Sequence, residues 1–271
     1  MPIQRVSSKW DKTKVLLRNK QVAQYIPHTL KYSQDTLIDM LKDNALVYIK
    51  PDIGTYGNGV MCVERLPEQA SGENVSPERY SLHYGTHSEE FDSLKNLHRS
   101  VVSRTQNKLF LIQKGIPKLK YNDRAFDFRV LTQKTPSGNW ETTGIVARVG
   151  AKNKITTNYH GGGGMVKMMD EVLSVHASRS QINVLERQLY ALGEDTARQL
   201  QKEYPKLKEI GLDIAISKDL HPWILEVNTL PAIFPFKKFV KNKDIYRRIE
   251  RYAIAYGRIQ GSRKRSRKAK V

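Results

Sequence analysis

Apolar residues recur along this chain in two rhythms. Ile182, Leu185, Leu189, Leu192 and Leu200 fall at helical spacing and predict a long amphipathic helix ending before Pro205. Leu37, Ile38, Met40 and Leu41 give 34–43 the same character, and 11–25 also reads as a helix. Elsewhere the period is two. Tyr80, Leu82 and Tyr84 alternate as a short strand, while Ala45–Ile49 and Leu109–Gln113 are short apolar runs of buried strand. Phe126–Gln133 and Trp140–Val149 flank the turn residues Pro136, Ser137, Gly138 and Asn139 and predict a strand pair. Ser88 followed by Glu89 and Glu90 predicts a helix start, running to about Arg104, because a serine cap and early acids suit a helix N-terminus. Pro67–Pro77 and the four glycines Gly161–Gly164 read as loops, and Asp244–Tyr256 as a last helix.

Alternation is most informative near the C-terminal third. Leu212, Ile214 and Ile216 point one way on one strand and Asp213 the other. On the next strand Trp223, Leu225 and Val227 share a face, with Glu226 and Asn228 opposite. With Lys218–His221 as the loop, Asp213 falls across from Glu226. Two carboxylates and an amide oxygen then converge, a donor set for a hard cation such as magnesium or manganese. The plain alternative is a strand pair with its polar side in water.

A second motif follows Ala45–Ile49. Lys50 and Pro51 lead into a segment holding Gly54, Gly57 and Gly59, and Val60–Val63 reads as a returning strand. Glycines let backbone amides approach an anion, and a lysine at the strand end supplies a point charge for phosphate. The spacing is neither the Gly-Lys-Ser/Thr phosphate loop nor the dinucleotide fingerprint. A glycine-rich hairpin turn is the alternative.

These motifs, taken in order, resemble the ATP-grasp superfamily, and most of all its YheC/YheD-type branch. The ordered set starts at Lys9-Trp10 and Ile26–Thr29. It continues through Lys50-Pro51, the glycine loop, Leu111–Ile116, Phe126–Val130, Gly144–Val149 and Thr157-Asn158 to the Glu226-x-Asn228 hairpin, covering about residues 9–236. The resemblance implies an α+β fold of two subdomains clasping ATP, without the α/β domain that usually precedes them. It implies a division into 1–35 (helical), 36–115 (lid), 116–257 (C-terminal subdomain with the metal hairpin) and 258–271 (basic tail). It implies that Lys9 and Lys50 contact phosphate and that the Gly54–Gly59 loop, through Gly54, Gly57 and Gly59, closes over it. Gln113, Lys114, Gly115 and Ile116 would form the hinge whose main chain bonds adenine, although many relatives carry acids where Gln113 and Lys114 stand. Asp213, Glu226 and Asn228 would hold magnesium or manganese. Arg129 and Arg148 would meet the transferring phosphoryl group, with Asp127 orienting Arg129. Asn158, Gly161 and Gly162 would hold the acceptor, and His160 is a weaker candidate proton carrier.

Composition changes this picture at the margins. The 271 residues carry a net charge of +19, and from Lys237 onward fourteen Lys and Arg face only Asp244 and Glu250. A polyanion such as DNA, RNA or an acidic polypeptide is the expected partner of residues 261–271, and a solvated solubility tail is the alternative. Cys62 is the only cysteine, which excludes an internal disulfide and fits a cytoplasmic setting. It reads as a packing residue. No signal peptide or membrane span is expected. His83, His87 and His98 match no metal spacing. The resemblance implies an ATP- and magnesium-dependent carboxylate–amine ligase acting through an acyl phosphate, with a spore-coat association. Two rivals stand beside it: a nucleotide-binding structural protein without turnover, and a nucleic-acid-binding protein working through its tail.

Overall fold

The computed structural model describes residues 3–67, 70–71, 74–75, 78–151 and 164–260. Its first helices are α1 (Lys9–Leu17) and α2 (Lys20–Ala23). The expected helix over 11–25 is therefore two. Ser8 caps α1 by accepting from the Asp11 N–H, and Asn19 starts α2 afresh by accepting from Gln21 and Val22.

The next stretch builds an antiparallel sheet from β1 (Thr29–Lys31), β2 (Leu46–Pro51), β3 (Met61–Leu66), β6 (Arg79–Tyr84), β7 (His87–Phe91) and β8 (Phe110–Lys114). A small pair, β4 (Ala70–Ser71) with β5 (Asn74–Val75), lies within the expected polar loop. The strand order is β1-β8-β2-β3-β6-β7. Helices α3 (Gln34–Asp43) and α4 (Leu94–Thr105) cover one face, burying Leu37, Met40, Leu97 and Val101 against Val47, Ile49, Leu82 and Ile112. Each such side chain contributes about 1.5–3 kcal/mol on removal from water.

The expected helix from Ser88 is corrected here. Residues 87–91 pair with β6 through the tight turn at Gly85, whose φ is +56°. The helix starts at Leu94, capped by Ser93. Strand pairing outcompetes the cap signal at Ser88, because Glu89 is bound by Tyr84, Ser100 and Arg104.

The strands of the second sheet are β10 (Arg124–Lys134), β11 (Trp140–Val149), β12 (Met165–Lys167), β13 (Glu209–Ile216) and β14 (Pro222–Asn228). Their order is β12-β11-β10-β13-β14, with short β9 (Lys120–Tyr121) attached to β10. The 25-residue helix α6 (Arg179–Glu203) lies on one face, as its spacing predicts, with α1, α2 and α5 (Met169–Leu173). Leu185, Leu189 and Leu192 meet Phe128, Val130 and Leu212 in that core. On the opposite face α7 (Phe234–Phe239) and α8 (Lys243–Ala255) bury Phe236, Val240 and Ile249 against Leu131 and Val146. Alternation along β10 therefore carries Asp127, Arg129 and Leu131 on that second face. Leu131 ends under the helices, and the two charged residues reach beyond them. The stretch 1–35, expected to be helical, also holds β1: α1 and α2 pack into the second core while β1 pairs with β8 in the first sheet.

Candidate functional site

Strand register assembles the polar face. Arg148 lies opposite Asp127, Arg129 opposite Asp213, and Asp213 opposite Glu226. The hairpin loop is as expected, with Ser217 N–H donating to His221 across it. The Arg148 guanidinium grips Asp127 with two hydrogen bonds, Nε to Oδ1 at 2.7 Å and Nη2 to Oδ2 at 2.8 Å. The same guanidinium reaches Asp213 Oδ2 at 3.0 Å. Arg129 Nε donates to the other oxygen, Asp213 Oδ1, at 2.7 Å. Asp127 thus holds Arg148, a correction to the expectation that it orients Arg129. Arg148 sits directly across the ladder, whereas Arg129 is two residues along the same strand.

All four groups are nearly buried, at 7% exposure for Asp213 and Arg148 and 2% for Asp127, with the Arg129 side chain at 11%. Burial opposes charge on Asp213, but Arg129 and Arg148 outweigh it and hold its carboxyl below the usual range. Burial also opposes charge on Arg148, and Asp127 and Asp213 reverse that, so the guanidinium stays charged.

The alternation expected on β14 fails at one residue. The register slips between Asp213 and Ile214, so that Ile214 pairs with Ile224 and Leu225 is the extra residue of a bulge. Ile224 joins Val227 in the core, and Leu225 turns toward the first sheet. Its carbonyl accepts from Lys50 Nζ at 2.8 Å. Lys50 also donates to Gln113 Oε1 at 2.9 Å, and Gln113 Nε2 donates to Thr29 Oγ1 at 2.8 Å. Burial pushes the Lys50 ammonium down to about 8, against the pull of Glu226.

Lys9 enters from α1. Its Nζ donates to the Gly54 carbonyl at 3.0 Å and lies 3.6 Å from Glu226 Oε1. Asp52 latches the glycine loop to the same helix, accepting from Trp10 N–H at 2.7 Å and Ser8 Oγ at 3.0 Å. In that loop Gly57 and Gly59 have φ of +75° and +74°, a left-handed conformation that disfavours side chains.

Part of this set lines two adjoining cavities. The smaller, of about 90 Å³, is walled by Tyr48, Val60, Ile116, Lys50 and Lys118. The larger, of about 730 Å³, is floored by Arg129 and Arg148 and rimmed by the glycine loop and the segment after β14. Gly57, Arg148, Asp213 and Glu226 belong to both. The segment after β14 is held from behind. Buried Glu209 is paired with Arg5 and Arg258, which donate to the carbonyls of Thr229 and Pro231.

The profile of the family described as YheC/D like ATP-grasp matches residues 4–259, nearly the whole chain. The chain belongs to that family. The α+β architecture with two antiparallel sheets is its fold. Among curated proteins it is similar to the endospore coat-associated protein YheD of Bacillus subtilis (strain 168), 26% identical over 229 residues, which are 83% of this chain and 48% of that protein. It is similar also to the endospore coat-associated protein YheC of the same organism, 24% identical over 228 residues, 83% of this chain and 60% of that protein. The chain thus spans about half the length of the curated relatives it matches. ATP-grasp proteins are in general ATP-dependent ligases that use a divalent metal.

The donor chemistry fits such a metal. Asp213, Glu226 and Asn228 offer only oxygen ligands and lie on neighbouring strands of one hairpin. Among the described residues no group of three or more His, Cys, Asp or Glu is placed to hold a metal ion, so the set depends on the Asn228 amide. Both Asp213 oxygens are engaged by arginine, and a cation there would share them.

The hinge differs in part from expectation. The N–H groups of Lys114 and Gly115 are spent within the sheet, donating to the carbonyls of His28 and Leu46. Strand β8 is internal, between β1 and β2, so its amides are paired. Ile116, one residue beyond those pairs, lines the smaller cavity.

Two lysines escaped the sequence reading. Lys12, on α1 three residues after Lys9, donates to the Val6 carbonyl at 2.8 Å, and burial lowers its ammonium to about 8. Half-buried Lys118 faces Asp127 and Asp213, and its ammonium is lowered by burial. Spacing from Lys9 could have flagged Lys12, but nothing local marks Lys118. Asn158, His160, Gly161, Gly162 and residues 261–271 lie outside the described residues. Cys62 is buried, with its thiol pushed up to about 12, and is a packing residue. No described helix is long and apolar enough to cross a membrane.

Proposed function

We propose that this chain is an ATP- and magnesium-dependent carboxylate–amine ligase acting through an acyl phosphate. One observation carries the reading: Asp213, Arg148 and Glu226 stand on the boundary of both cavities. A nucleotide in the smaller cavity would place its terminal phosphate at that boundary, facing an acceptor in the larger one.

The residues divide the work as follows. Tyr48, Val60 and Ile116 offer apolar walls for adenine. Lys9, Lys50 and Lys118 offer cationic charge along the phosphates, and the Gly57 region lets backbone amides approach them. Asp213, Glu226 and Asn228 would hold magnesium, whose chemistry there is neutralisation of phosphate charge. Arg129 and Arg148 are fixed forks. Phosphoryl transfer depends mainly on positioning and charge stabilisation, and both guanidiniums are held in place before substrate arrives. An acceptor carboxylate oxygen bonds to the γ-phosphorus as the bond to the bridging oxygen breaks and ADP leaves. An amine then bonds to the acyl carbon, phosphate departs, and the amine loses a proton.

The arginine pairs with Asp213 also favour a second reading, nucleotide binding without turnover, in which the guanidiniums neutralise Asp213 rather than a phosphoryl group. Hydroxylamine trapping separates the two. Protein, ATP, magnesium, a panel of carboxylic acids and hydroxylamine should yield ADP and hydroxamate in equal amounts. ATP binding with no ADP release across the panel would support the second reading. The names of the relatives extend the proposal to a setting at the spore coat.

A further inference from the structure

Ten large hydrophobic side chains are exposed among the described residues, and four of them line the larger cavity. Ile53 and Tyr56 come from the glycine loop, Leu230 and Phe234 from the segment after β14. Ile53 and Leu230 are 68% and 62% exposed. Clustered apolar surface of this kind marks a binding site, because covering it returns about 25 cal/mol per Å². The volume of about 730 Å³ lies within the roughly 300–1,000 Å³ of pockets for small organic ligands.

Charge within the cavity is one-sided. Arg129 and Arg148 form the inner end, and Lys12 stands on the N-terminal wall. Among the described lining residues the acids are Asp213 and Glu226, both at the inner end and both already facing cations. Among the described lining residues an ammonium group on an occupant would meet Arg5, Lys12, Arg129 and Arg148, and no carboxylate without a cation already beside it.

We propose, resting on the ligase reading above, that the acceptor is a carboxylic acid with a bulky, uncharged, apolar body and no ammonium beside its carboxylate. Its carboxylate faces Arg129 and Arg148, and its body covers Leu230, Phe234, Ile53 and Tyr56. A free aryl or branched-alkyl acid and an N-acylated peptide ending in an apolar residue share this chemistry.

The test uses the full chain with magnesium and a non-hydrolysable ATP analogue. Binding of N-acetylphenylalanine, N-acetylglutamate, free phenylalanine and N-acetyl-alanyl-phenylalanine is measured by calorimetry, and hydroxamate formation is followed in parallel with ATP. N-acetylphenylalanine should bind roughly tenfold more tightly than N-acetylglutamate or free phenylalanine, the ratio for about 1.4 kcal/mol. Tighter binding of the dipeptide points to a peptide source, and equal binding to a free acid. Leu230→Asp, at an exposed position away from the nucleotide cavity, should remove the preference and leave ATP affinity unchanged. Equal or tighter binding of the glutamate or free amino acid, an unchanged preference in Leu230→Asp, or no binding of any acid would overturn the proposal. Selective binding without hydroxamate overturns the ligase reading and leaves this one standing. Hydroxamate from N-acetylglutamate at equal or better efficiency does the reverse.

Discussion

Lys50 Nζ donates to the carbonyl of Leu225 at 2.8 Å, and so ties a strand of the first sheet to the β13–β14 hairpin of the second. That carbonyl is free for the lysine because Leu225 is the bulge residue of β14 and has no partner in the ladder. The smaller cavity, about 90 Å³ in this arrangement, falls below the roughly 300 Å³ of typical ligand pockets. On the proposed function, a nucleotide seated there would part the sheets, and Lys50 would exchange the Leu225 carbonyl for phosphate. Lys50→Met should weaken ATP much more than AMP, which lacks the outer phosphates. Calorimetry with both nucleotides checks this, and equal losses would make the lysine a structural clasp only.

The same lysine sets a pH dependence. Its ammonium is lowered from 10.5 to about 8 by burial, and among its neighbours Glu226 and Asp213 raise it while Lys9 and Lys118 lower it. Between about 8 and 10.5 the unfolded chain holds more protons, so this group makes stability rise with pH across that window. Below about 8 its burial cost is constant. ATP binding runs the other way, since the protonated form meets phosphate. ATP affinity should fall as pH rises through about 8, in wild type and not in Lys50→Met. Buried Lys12, also at about 8, adds to the rise of stability with pH and does not line the smaller cavity.

Glu226→Gln removes a charge with little change of shape. Glu226 is half-buried beside Lys9 and is not part of the core. Folding should survive, and magnesium-dependent ATP binding should weaken by at least the roughly 10–100-fold seen when groups supporting a metal site are lost. Paired titrations with and without magnesium measure it. An unchanged magnesium requirement would remove Glu226 from the metal site.

Asp127→Ala leaves Arg148 buried with half of its carboxylate partners. Breaking such a pair costs about 3–5 kcal/mol, and the lower end is expected because Asp213 remains at 3.0 Å. Denaturant unfolding of this variant beside wild type gives the number. A loss under about 1 kcal/mol, typical of an exposed pair, would mean water reaches the guanidinium.

Gly211→Ala tests how the fold sets the site. A Cβ there would lie 2.5 Å from Pro231 Cβ and 3.2 Å from Arg129 Cδ. Overpacking of this kind costs about 1–3 kcal/mol. The strain falls on Arg129 and on the rim segment, so phosphoryl transfer should drop more than ATP affinity. Single-turnover rates and ATP titrations separate the two.

Much of this arrangement was legible in the residues. The period-two pattern placed Asp213 across from Glu226, because a short hairpin leaves few registers open. The bulge was not legible, since an inserted residue has no side-chain signature and Leu225 is apolar like Ile224 before it. It moved Ile224 to the core and exposed the carbonyl that Lys50 uses. Asp127 was matched to the wrong arginine, because closeness along a strand is no guide to the partner across it. Residues 88–91 read as helix because Ser88 and two acids imitate a cap, while the pairing that makes them a strand depends on β6. Lys118 was missed for a similar reason: its place among Asp127, Arg148 and Asp213 comes from three separate strands.

On the proposed function, the face bearing Asp213, Glu226, Arg129 and Arg148 moves a phosphoryl group from ATP to a carboxylate. Carboxylic acids labelled with oxygen-18 in the carboxylate, incubated with the full chain, ATP, magnesium and hydroxylamine, test it directly through the phosphorus spectrum of the released phosphate. The expected products are ADP and phosphate carrying one labelled oxygen, with neither above background in Glu226→Gln. ADP accompanied only by unlabelled phosphate, or no ADP with any acid, would contradict it.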